Sequence, residues 1–264
     1  MIGGGPCPKP AAPFPPTGSP GSPSSGCSGS GFLAIFLAPP WQPWPFPRKS
    51  PPSRTVIVLL RWLTLRLMLG AGLIKLRGDP CWRDLSCLVS HYETQPNPNP
   101  LSWYFHQLPV WFHQLEVLLN HVVELVAPLF VFGPRRMRIV AGGSIIGFQI
   151  LLILSGNLSF LNWLTITVAI GCLDDGVLRP LVPRRVLHCL DARVAGAEES
   201  RARRIVGYAL AVGVAVLSVN PALNLLSSRQ RMNTSFDPFD LVNSYGAFGS
   251  VSRQRFEIVL EGTP

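Results

Sequence analysis

Acidic side chains are scarce in this chain, with 14 Asp and Glu against 23 Lys and Arg in 264 residues. All charged residues together make up only 14%, too little to clothe a soluble surface of this size. The six cysteines (Cys7, Cys27, Cys81, Cys87, Cys172 and Cys189) contain no CxxC pair. That spacing argues against a zinc module and against a thioredoxin-like redox centre. No GxSxG, Walker, GxGxxG or HExxH pattern occurs, so the recognisable signatures of hydrolases, nucleotide binding and zinc proteases are missing. The first thirty residues lack a charged start followed by an apolar core, and no cleavable signal peptide is expected.

What the chain does have is apolar length. From Ile139 to Cys172, 34 residues pass without a charged side chain. At about 1.5 Å per residue, a helix of that length overshoots a hydrocarbon core of roughly 30 Å. With 47% hydrophobic residues and a mean hydropathy of +0.30, the chain belongs to the membrane class. Ser155-Gly156-Asn157 is a polar break with turn chemistry, giving either a hairpin of two short segments or one long kinked helix. Gly143 and Gly147 form a small-xxx-small pair, which either admits a close helix neighbour or occurs by chance.

Taken in order, Met1 to Ser30 is Gly, Pro and Ser with almost nothing to bury, and is expected to be disordered. A proline-rich stretch with Trp41, Trp44 and Phe46 continues this cytosolic segment to residue 54. Expected spans lie near 55–74, 113–133, 139–155, 159–173 and 205–226. The loop 75–112 carries HYETQPNPNP and a short interfacial helix around Trp103 to Phe112. Residues 227–264 form a soluble tail that stops without a closing element, as the start of a truncated domain would. The expected fold is an all-α polytopic membrane bundle.

Basic residues orient it. If the spans alternate, segments 48–54, 135–138 and 174–204 share one side and hold 13 Lys and Arg, whereas 76–112 and 227–264 hold six. The richer side is cytosolic by the positive-inside rule, although Arg229 and Arg231 run against it. A layout with a single crossing through the central run leaves the long segments on the same sides. The +9 net charge therefore reads as orientation in a membrane, not as a nucleic-acid surface.

Candidate sites are few. Arg61 and Arg66 lie inside the first span, where a charge costs about 2.5–3.5 kcal/mol on insertion scales and needs a partner. His113, Glu116, Asn120 and Glu124 fall at steps of three and four and so share one helix face. The structural reading is an intramembrane polar network, with Glu116 or Glu124 compensating Arg61 or Arg66. The alternative is a membrane enzyme in which His113-x-x-Glu116 and His121-x-x-Glu124 bind a metal. Cys81 and Cys87 bracket CWRDLSC and either pair in a local disulfide, if the loop is lumenal, or stay as two free structural thiols. Asn233-Thr234-Ser235 is a glycosylation sequon. Asn157-Leu158-Ser159 also matches one but lies in a turn at the membrane. Asp174-Asp175 either binds a cation or ends the central run. No side-chain pattern calls for a cofactor.

Several segments go further than this physics. MLGAGLIKLRGDPCWRDLSC (68–87), HYETQPNPNP (91–100), VWFHQLEVLLNHVVELVAPLF (110–130), SGNLSFLNWLT (155–165) and NLLSSRQRMNTSFDPFDLVNSYGAFGSV (224–251) resemble the lipase maturation factor family, from about residue 32 to 263. The resemblance implies a non-catalytic, multi-pass endoplasmic-reticulum membrane protein. It would help secreted homodimeric lipases (lipoprotein, hepatic and endothelial lipase) reach an active, assembled form. Family members carry a cytosolic tail and further spans before the segment matching Phe32 to Trp41, where this chain has the unrelated Met1 to Ser30. They also carry a long lumenal domain, of which only the beginning would be present here.

Overall fold

The computed structural model describes residues 24–37, 52–95, 99–156, 160–184, 186–187, 191, 199–246, 249 and 251. The described part is mostly helical. The elements are α1 (Ser24–Ile35), α2 (Arg54–Arg77), α3 (Pro80–Arg83), α4 (Cys87–Thr94), α5 (Ser102–His106), α6 (Val110–His121), α7 (Arg135–Ser155), α8 (Phe160–Ala169), α9 (Asp175–Leu178), α10 (Arg201–Leu217) and α11 (Val219–Leu226). Two short strands, β1 (Thr234–Ser235) and β2 (Asn243–Ser244), pair antiparallel in the tail.

Among the described residues, three helical stretches are long and apolar enough to cross a membrane: α2, α7 and the α10–α11 pair, Arg201–Leu226. A fourth crossing is available if Phe160–Cys172 and Asp175–Leu181, bent by 118°, act as one broken span. At 24 residues, α2 measures about 36 Å and runs past the hydrocarbon at its ends. It is the axis of the fold. Buried positions run along most of its circumference, from Val56 and Leu63 through Met68 to Lys75, because several elements pack against it.

The central apolar run is a hairpin. α7 ends at Gly156, and the start of α7 meets the end of α8. Arg138 Nε donates to the Cys172 carbonyl at 3.1 Å, and Arg135 pairs with Asp174. A Cβ on Gly142 would come within 2.7 Å of Cys172 Cβ. Close approach therefore falls on Gly142. At Gly143 and Gly147, which share the other face of α7, an added Cβ meets nothing within 4 Å.

The stretch expected to span at 113–133 is not one regular helix. α6 passes into a π turn over Val122–Val126 and a 3-10 turn over Ala127–Phe130. Pro128, which has no N–H to donate and whose ring crowds the preceding turn, lies where the wider turn tightens. Val117 in α6 packs with Cys81 and Trp82 of α3 and Cys87 of α4. Farther along, Val123, Ala127 and Val131 pack with Met68, Ala141, Ile145 and Phe148.

Residues 24–30, the end of the amino-terminal stretch, belong to α1. Gly and Ser favour helix weakly, so tertiary burial decides: Leu33 clusters with Leu59, Leu60 and Leu63 of α2 and Val214 of α10. Residues 1–23 and 38–51 lie outside the described residues.

Candidate functional site

At one end of the bundle, α2, α4, α6, α7, α8 and the tail enclose a cavity of about 500 Å³. Most of the candidate polar residues meet there. The four-residue stripe of α6 points into the protein, with His113, Asn120 and Glu124 buried, while Leu115, Leu118 and Val122 on the other faces are exposed. This is the inverse of a soluble amphipathic helix and fits a lipid-facing surface.

Glu124 does not compensate either arginine. Its Oε1 lies 2.6 Å from Lys75 Nζ. Lys75 also donates to Asn120 Oδ1 at 2.8 Å, and Asn120 Nδ2 donates to Glu124 Oε2 at 3.2 Å. The ammonium sits 4.9 Å from the Trp82 ring centroid, adding a cation–π contact. Lys75 was missed because the first span was ended at Ile74. The signal was present: Thr64, Met68, Gly72 and Lys75 recur at helical steps, and all four are buried.

Glu116 has other partners. It accepts from Tyr92 Oη at 2.8 Å and lies 3.1 Å from His113 Nδ1. Burial beside the Glu116 carboxylate pushes the Tyr92 phenol well above its usual range, so it stays a donor. His121 Nε2 lies 2.9 Å from the Trp82 carbonyl, and an acceptor there requires Nε2 to carry the proton. His91, also on the cavity wall, is held down to about 4 by burial first and by Lys75 second, and is neutral at pH 7.

The arginines find backbone carbonyls. Arg61 Nε donates to Gly171 at 2.8 Å, beside the Arg138 bond to Cys172. Both therefore cap the carboxyl end of the α8 stretch, where orphan carbonyls and the helix dipole favour cations. Arg66 reaches the Asn243 carbonyl at 3.3 Å and lies 5.9 Å from the ring centroids of Trp62 and Tyr245. With few acidic side chains available, carbonyls at helix and strand ends take over the pairing. Arg77 follows the same rule, donating to Leu225 at 2.8 Å.

The tail is fastened to this end. Asn224 binds both the Arg231 backbone and Ser244 Oγ, and Asp79 N donates to Gly249 O at 2.9 Å. Cys81 and Cys87 are joined by a disulfide, and the Asp79 carboxylate caps α3 at the Cys81 N–H. Asn233 is exposed, with its backbone at a positive φ of 49° and its Oδ1 accepting from Gly246 N. The sequon at Asn157 lies outside the described residues. Asp174 is occupied by Arg135 and by the Val177 N–H, which hold its carboxyl below the usual range.

Chemically, the candidate residues form two self-contained clusters, Lys75–Asn120–Glu124 and Tyr92–Glu116–His113. Among the described residues, no three of His, Cys, Asp and Glu come together as metal ligands.

The family profile described as "Lipase maturation factor transmembrane domain" matches residues 28–180. The chain is 51% identical over 246 residues to lipase maturation factor 1 of Bos taurus, covering 89% of this chain and 44% of that protein. It is equally similar to the Mus musculus protein of the same name, with 89% and 43% covered. Human lipase maturation factor 2 is 38% identical over 157 residues, covering 55% and 22%. The chain thus spans less than half the length of the first two. No solved structure matches it.

Proposed function

The chain belongs to the lipase maturation factor family, and we propose that it is a non-catalytic membrane factor of the endoplasmic reticulum assisting folding and assembly of secreted homodimeric lipases. Its clients would be lipoprotein, hepatic and endothelial lipase. The family match over 89% of the chain is the observation that carries this reading. Membership of the family supports a membrane role in lipase maturation, and the organelle, the clients and the mechanism extend that reading.

In this reading, loop 76–112 and tail 227–264 face the lumen and contact folding lipase, while the spans hold them at the membrane. Support comes from their shared end of the bundle, where Asp79 bonds Gly249 and Arg77 bonds Gln230. The Lys- and Arg-rich segments meet at the other end. Ser53 and Thr55 lie beside Gly207, and Arg135 pairs with Asp174.

The enzyme alternative has a specific observation against it. Each of its four residues is already engaged: His113 with Glu116, Glu116 with Tyr92, His121 with Trp82 and Glu124 with Lys75. Gln or Ala at these positions should lower abundance before specific activity.

The decisive test is co-expression of the chain with lipoprotein lipase in cells lacking the endogenous factor, reading secreted lipase activity. Rescue would place the working parts within these residues. If the chain reaches the endoplasmic reticulum without rescue, the proposed activity of this span fails. A full-length relative that still matures lipase with 76–112 and the tail replaced would remove the proposed contacts.

A further inference from the structure

The cavity is lined by two buried amides, one left without an acceptor and the other with only a weak one. Asn162, on α8, is 1% exposed, and among the described residues its Nδ2 finds no acceptor. Gln149, on α7, is 6% exposed, and its Nε2 reaches the Met68 sulfur at 3.9 Å, a weak acceptor. A buried donor left unbonded is costly, and a membrane interior supplies no water to relieve it. An acceptor entering the cavity beside either amide gains a bond that the walls do not supply.

The charge of that acceptor is constrained. Lys75 is already bonded to Glu124 and Asn120, Glu116 adds a second carboxylate, and His91 is neutral at pH 7. An anionic ligand would face more negative than positive charge, so a carbonyl without charge fits better. Much of the remaining lining is apolar, including Leu67, Met68, Phe148, Leu152 and Leu164, with Gln95, Ser155 and Thr165 among the polar exceptions. The edge of the cavity includes Leu119, Leu151 and Leu161, exposed by 41%, 44% and 40%. They lie on the outward apolar surfaces of α6, α7 and α8, which points to the bilayer as the source.

We propose that this cavity binds a neutral single-chain acylglycerol from the membrane, its ester carbonyl held by Asn162 and Gln149 and its acyl chain along Met68, Phe148 and Leu164. The glycerol hydroxyls face Glu116 and Asn120, which accept and donate at the polar end. A volume of about 500 Å³ lies within the range of small-molecule sites. It takes one chain rather than two. The site stands independently of lipase maturation.

The test uses the whole chain in phosphatidylcholine nanodiscs, with a monoacylglycerol bearing a diazirine and an alkyne as probe and adducts located by mass spectrometry. Adducts are expected within 67–75, 148–152 and 161–165, displaced by unlabelled monoacylglycerol but not by the matching fatty acid or by diacylglycerol. Asn162→Leu and Gln149→Leu should each lower labelling about fivefold, the worth of one neutral hydrogen bond. Thermal stability should stay the same or rise, because an apolar side chain replaces an unpaired amide. Ala71→Leu, which fills the cavity without touching either amide, should abolish labelling. The proposal is overturned if labelling is absent, if it falls equally on outward residues such as Val140 and Val216, or if it is indifferent to these variants. Equal displacement by the fatty acid or diacylglycerol overturns the neutral single-chain assignment.

Discussion

A lysine near the end of a membrane helix ordinarily extends its stem to reach the interface. Lys75 instead turns inward, onto Glu124, Asn120 and the Trp82 ring. The two charges are a liability in isolation and stable only together. Lys75→Met should therefore cost about 3–5 kcal/mol, since Glu124 is left buried without its cation. The measurement is thermal unfolding in detergent. Lys75→Met combined with Glu124→Leu should recover most of that loss, because a buried ion pair replaced by apolar side chains is often neutral. A double variant as unstable as the single one would show that the pair is not an isolated unit.

Elements meet where glycine permits, and sequence spacing points to the wrong glycines. Gly143 and Gly147 are four apart on α7, but an added Cβ has open space at both. Gly142 carries the α7–α8 contact against Cys172. Gly142→Leu is expected to destabilise by about 1–3 kcal/mol through overpacking, with Gly143→Leu near neutral under the same melt. The loop after α2 is stapled by Cys81 and Cys87. Serine at both positions should cost about 2 kcal/mol, the typical lower value for a disulfide, as read by unfolding. Client lipase oxidation should be unchanged in that variant, because the CxxC spacing of redox enzymes is absent. A loss of client oxidation at normal abundance would revive a redox role.

For the whole molecule, pH and sidedness are the accessible readouts. Burial, with Lys75 nearby, depresses His91 to about 4 from the usual 6.5, so between those values the unfolded chain binds more protons. The stability from the neutral imidazole is complete above about pH 6.5 and is lost as pH falls toward about 4. Unfolding midpoints measured across that window should drop, and His91→Gln should flatten the dependence. Sidedness is read at Asn233, whose side chain is exposed beside the tail strand. If the tail is lumenal, Asn233→Gln should abolish an endoglycosidase-sensitive mobility shift. A shift that persists would place the glycan elsewhere.

The sequence by itself determined the membrane class, the inward polar face of α6 and the resemblance to the lipase maturation factor family. These rest on local facts: 34 uncharged residues in a row, polar side chains at steps of three and four, and long literal motifs. Tertiary structure alone decided the pairings. Periodicity places Glu124 on a face but says nothing of which cation stands opposite, and Lys75 was hidden by an estimated helix end. Arg61 and Arg66 needed partners, and a sequence displays carboxylates rather than the carbonyls of Gly171 and Asn243 that took the role. The cavity was illegible for the same reason. Asn162 and Gln149 become neighbours of Met68 only when the α7–α8 hairpin folds against α2, and burial, which makes an unpaired amide matter, belongs to the assembled bundle.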